Sequence, residues 1–147
     1  MDEQNDSVRA ALRGNRLVCA ALLVGQLMMA VVITVVHSLG ISTIPLAPEL
    51  GELFAWIGPG IGVGIIPLAY FLRRVIWQKG AGGSDAVVLQ SFFAGNIAFQ
   101  AMLEGAGLLN LTFWFITADA LPYVPIVVVL ILIGGVALRR GGPPSEG

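Results

Sequence analysis

Charge is what this chain has least of. Of its 147 residues, 12% are Asp, Glu, Lys or Arg, about half the roughly 25% of an average soluble domain. So little solvating charge excludes a disordered chain, a nucleic-acid partner and most soluble enzymes. Cysteine and histidine are nearly missing too, with one of each, Cys19 and His37. A lone cysteine forms no internal disulfide, and no Cys/His set has metal-ligand spacing. Cys19 lies in an apolar run and reads as a small buried hydrophobe. No Ser/His/Asp set, carboxylate pair or phosphate loop occurs, so neither an enzyme nor a cofactor site is expected. What is abundant is apolar surface: 56% hydrophobic residues and a mean hydropathy of +0.86. The solvent of such a chain is largely lipid.

A bilayer core about 30 Å thick takes roughly 20 apolar residues in a helix. Four runs qualify: Leu17–Val36, Leu53–Leu72, Ser91–Thr117 and Leu121–Leu138. The fourth has Pro122 and Pro125 in its first turn, where no intrahelical N–H bond is lost. The β-branched stretches Val31–Val36 and Ile126–Ile133 sit inside spans too long, and too little alternating, for barrel strands. Backbone in lipid must satisfy its own hydrogen bonds, which favours helices. The expected fold is therefore all-α: a four-transmembrane-helix antiparallel bundle forming one domain over residues 1–147, with polar tails at 1–5 and 141–147. Turn-forming residues fill His37–Glu52 and Arg73–Gln90, the second holding Asp85 as a helix cap. The connection Ala118–Ala120 is short enough to make helices three and four antiparallel neighbours. The first run is longer than a signal-peptide core and lacks an A-x-A site, so an uncleaved anchor is expected.

The eight basic residues are Arg9, Arg13, Arg16, Arg73, Arg74, Lys79, Arg139 and Arg140. With four spans, all eight fall on one side. Glu49, Glu52 and Asp119 occupy the other. The positive-inside rule then puts both termini in the cytoplasm, with the chain in the plasma (inner) membrane. Trp77, Trp114, Tyr123 and Trp56 lie near span ends, where amphipathic rings favour the interface. Arg73, Arg74 and Trp77 form a basic interfacial cluster able to touch anionic lipid headgroups; Lys79, Arg139 and Arg140 anchor the same side. His37, at the opposite end, reads as an exposed or interfacial side chain.

One acid remains inside a span. Glu104 is thirteen residues from either end of the third run, so at 1.5 Å per residue it sits about 20 Å deep. A carboxylate there costs several kcal/mol unless it keeps its proton or faces water or a partner. Asn96 and Gln100, eight and four residues earlier, share its face, and Gly107 continues that stripe. The stripe is expected to face the bundle interior, with Gln26 and Thr34 of the first helix as polar partners. Glu104, Gln100 and Asn96 are thus candidates to bind a proton or cation, or to serve as interhelical hydrogen-bond glue. The second run reads Gly58-Pro59-Gly60-Ile61-Gly62-Val63-Gly64, two overlapping G-x-x-x-G pairs that admit close helix packing. Pro67 is a candidate kink. Asn110-Leu111-Thr112 matches a glycosylation sequon, but inside a helix it should be silent.

Gly58-x-Gly60-x-Gly62-x-Gly64, followed by a polar loop and then Ala98-Phe99-Gln100-Ala101-Met102-Leu103-Glu104-Gly105-Ala106, resembles the proteolipid hairpin of the rotary ATP synthase c subunit. That resemblance implies an ion-carrying role for Glu104. The loop Arg73-Arg74-Val75-Ile76-Trp77-Gln78-Lys79 lacks that family's Arg-Gln-Pro turn, and two further helices flank the hairpin. Over the whole chain, the third helix (Ala101 to Leu111), the basic second loop and the length resemble a set of small, uncharacterised bacterial four-helix integral membrane proteins. That likeness implies fold and membrane residence, and no activity. The leading expectation is a non-enzymatic membrane protein that packs with itself or with a membrane-protein partner. A proton- or cation-handling subunit built on Glu104 is the alternative.

Overall fold

The computed structural model describes residues 2–41 and 46–140, with side-chain surroundings from Ala10 onward except Ala11 and Arg140. The 141–147 tail, Pro45 in the first loop and the Arg140 side chain lie outside that description. Four helices follow in order: α1 (Asp2–Ser38), α2 (Pro48–Gly80), α3 (Asp85–Thr117) and α4 (Val124–Arg140). The described residues contain no strand. Three helical stretches, Leu12–Ser38, Pro48–Gly80 and Asp85–Thr117, are long and apolar enough to cross a membrane. α4 has 17 residues, about 25 Å of rise.

The helices outrun the apolar runs because polar flanks continue them. Residues 2–5, expected as a tail, already belong to α1. α2 starts on Pro48, whose missing N–H costs nothing at a first helical position, with Glu49 beside it in the first turn. It runs unbroken through both Pro59 and Pro67. The cap of α3 differs from expectation by one residue: Ser84 holds the extended cap position and Asp85 is the first helical residue. The entry to α4 is also corrected. Tyr123 N and Val124 N both donate to Ala120 O, at 3.2 and 3.0 Å, so Pro122 belongs to a turn and only Pro125 to the first helical turn.

α3 is the hub. It packs against α2 along the longest interface and against α1 and α4, while the backbones of α1 and α2 stay more than 8 Å apart among the described residues. Chain neighbours α2–α3 and α3–α4 run antiparallel, as short connections require. α1 packs parallel on α3, as helices one and three of an alternating bundle must: Gln26 meets Gly107 near the middle, and His37 meets Trp114 near the end. The absent side chain at Gly107 permits this close packing, because the Gln26 amide occupies the space a methyl there would fill. Two apolar clusters fill the interior, one around Ala69, Phe99, Leu103, Ala106 and Leu130, the other around Ile33, Leu111 and Val127.

Candidate functional site

The polar stripe of α3 divides in three dimensions. Gln100 is buried, and its amide lies against Gly134 of α4, where a methyl would sit 2.7 Å from Nε2. Asn96, one turn earlier, lines with Gln100 a cavity of about 20 Å³ whose other walls include Asn15, Arg16 and Cys19 of α1. That volume admits about one water molecule. Cys19 is buried beside it, as its apolar setting indicated, and its thiol faces Asn15 Oδ1 at 4.0 Å.

Glu104 goes elsewhere, and the expectation that the whole stripe faces inward is corrected. A residue four positions on from Gln100 is rotated by about 40°. That rotation carries Glu104 to the outer lip of the α1–α3 seam, partly exposed. Its carboxylate lies over Gly25, with Oε1 3.3 Å from where a methyl on that glycine would be. Gly25, Ala101 and Gly105 around it are exposed. Among the described residues no hydrogen-bond donor or charge acts on this carboxylate. Of the partners expected from α1, Gln26 is buried against Gly107 instead. Thr34 is exposed and returns its hydroxyl to Ala30 O at 2.8 Å, the ordinary use of a helical threonine hydroxyl.

The glycine run also divides. Gly58 and Gly62 are buried: Gly58 faces Asn110, Phe113 and Tyr123, and Gly62 faces Ile126 and Asn110. Gly60 and Gly64 face open space. One of the two G-x-x-x-G pairs therefore serves packing within the chain, since residues two apart on a helix point to nearly opposite sides.

Asn110, whose sequon carries no expectation of an internal role, bridges the α2–α3 interface. It is fully buried, and Nδ2 donates to Gly58 O at 3.0 Å and to Ala106 O at 2.9 Å. Its spacing of three from Gly107 continues the inward stripe, which was the available signal. Tyr123, expected at the membrane interface, is instead fully buried against Gly58 and Phe113. His37 packs its ring on Trp114 and Phe115, at 5.6 and 6.1 Å between centroids.

The basic cluster surrounds an open groove of about 570 Å³ lined by Tyr70, Phe71, Arg73, Arg74 and Trp77. Arg73 lays its guanidinium carbon 4.3 Å from the Trp77 ring centroid and 5.3 Å from that of Phe99. Its Nε is buried without a partner among the described residues. Trp77 donates to Phe92 O at 3.3 Å and lies against Gly95. Lys79 and Arg139 are exposed and lie outside the groove lining. The described residues hold no group of three or more His, Cys, Asp or Glu placed to bind a metal. No family model matches the chain, and no curated protein or solved structure matches it either.

Proposed function

We propose that this chain is a non-enzymatic inner-membrane protein that crosses the bilayer four times and assembles with a second copy or another membrane protein. The eight-to-none division of basic residues supports placing both termini in the cytoplasm. α4 is apolar from Val124 to Leu138, and the turn residues Leu121, Pro122 and Tyr123 before it extend that apolar stretch to the length a span needs. The observation that carries the assembly reading is Glu104: a carboxyl midway along α3, at the outer lip of a seam, with no partner among the described residues. A carboxyl there gains most from a donor on another helix. The exposed small residues Gly25, Ala101 and Gly105 leave room for that helix to approach.

The test compares Glu104→Ala with Glu104→Gln in native membranes, reading association by cross-linking. Loss of an interhelical hydrogen bond should weaken association roughly three- to thirtyfold in Glu104→Ala, while Glu104→Gln stays close to wild type. A protein that is monomeric in the membrane, or association unchanged in both variants, would refute the reading.

Proton or cation handling is the second reading, and the same exposed lip favours it, because the carboxyl is reachable from the bilayer side. It makes the opposite forecast. Both substitutions should abolish any ion-dependent behaviour, and both should leave assembly intact.

A further inference from the structure

The groove on α2 has the composition of a lipid site. Its floor is aromatic, with Tyr70 49% and Phe71 64% exposed, and its rim holds two arginines and no acid. Arg73 is pinned over Trp77 by cation–π contact, which occupies one face of the guanidinium, and its Nε is buried. Arg74 is exposed one residue on. No acid is among the residues lining the groove, so Arg74 and the terminal nitrogens of Arg73 offer donors in planar forks suited to phosphate oxygens. Tyr70 and Phe71 lie within one turn of Arg73, on the side of the predicted span, where acyl chains would lie.

We propose that this groove binds an anionic glycerophospholipid, with Arg73 and Arg74 on its phosphate and Tyr70, Phe71 and Trp77 along the start of its acyl chains. A free phosphate would leave the aromatic floor uncovered, whereas a phospholipid covers both parts. The inference rests on membrane residence and is independent of what Glu104 does.

The experiment uses a Trp56→Phe/Trp114→Phe chain, so that Trp77 alone reports, reconstituted in phosphatidylcholine vesicles. Brominated phosphatidylglycerol and brominated phosphatidylcholine are titrated at matched mole fractions. The anionic lipid should quench Trp77 at lower mole fraction, with a preference of roughly fivefold per arginine. Arg74→Gln should remove about half of that preference on a logarithmic scale, and Arg73→Gln/Arg74→Gln should abolish it. Lys79→Gln/Arg139→Gln, equal in charge change but outside the groove, should keep it. Because Arg74 is exposed, its variant tests the site even if replacing Arg73 disturbs folding. Equal quenching by the two lipids would overturn the proposal. So would an equal loss in Lys79→Gln/Arg139→Gln, or competition by soluble glycerol phosphate. Quenching by neither lipid would overturn membrane residence itself, and the lipid site with it.

Discussion

Replacing Gly62 with alanine should separate the two overlapping glycine pairs of α2. A methyl at Gly62 would overlap Ile126 Cγ2 of α4 and approach Asn110 Nδ2 to 3.3 Å. Ile126 is β-branched and has few alternative rotamers, while Asn110 is tied to Gly58 O and Ala106 O. Relief therefore requires α2 to move outward. Overpacking of this kind costs about 1–3 kcal/mol. Stretching the Asn110–Gly58 bond adds about 0.6–2 kcal/mol. The expected loss is thus about 2–5 kcal/mol. Gly60→Ala, two residues away, meets nothing within 4 Å and should be neutral or stabilise by up to about 1 kcal/mol through helix propensity. Reversible unfolding in mixed detergent micelles, followed by circular dichroism on the monomer, reads both. Equal losses at the two positions, or a larger loss at Gly60, would refute the packing scheme.

Other outcomes follow from neighbouring contacts. Asn110→Leu should lose about 0.6–2 kcal/mol with its cross-helix bond to Gly58; no loss in the same unfolding assay would deny it a bridging role. Gly107→Ala should destabilise the α1–α3 contact, and shortening the opposed side chain in Gln26→Ala/Gly107→Ala should restore part of the loss. A double-mutant cycle measures this, and strict additivity would mean that the two residues do not meet. Cysteines introduced at Asn5 and Pro45 should react with a membrane-impermeant maleimide from opposite sides; labelling from the same side would end the four-span topology.

Helix number was readable from the sequence because each helix holds one long apolar run, while helix length was not, since polar flanks extend the first three. Glu104 as the odd residue was equally legible, since one charge in twenty-seven residues needs no geometry to notice. Its neighbourhood was not. Residues 96, 100 and 104 share a face only loosely, and the 40° drift per four residues was enough to send Gln100 inward and Glu104 to the lip. Asn110 was overlooked because a sequon reading directs attention to the surface. Its value depends on Gly58, 52 residues away, and no local pattern couples the two. Tyr123 misled for a related reason: an aromatic near a span end suits an interface, but the turn at 120–123 directs it onto Gly58.

The scarcity of charge by itself determined that this is an apolar helical chain, and the few charges present bounded its apolar runs, though not its helices. Both follow from solvation, which each residue feels independently of its partners. Which helices touch, and which glycines matter, only the tertiary structure decided. α1 packs closely on α3 because Gly107 leaves room for Gln26. Gly58 and Gly62 close onto α3 and α4 while Gly60 and Gly64 stay open, and Glu104 is left at the lip of the α1–α3 seam. Those outcomes depend on how helix faces are rotated against one another. The excluded volume of side chains far apart in sequence sets that rotation.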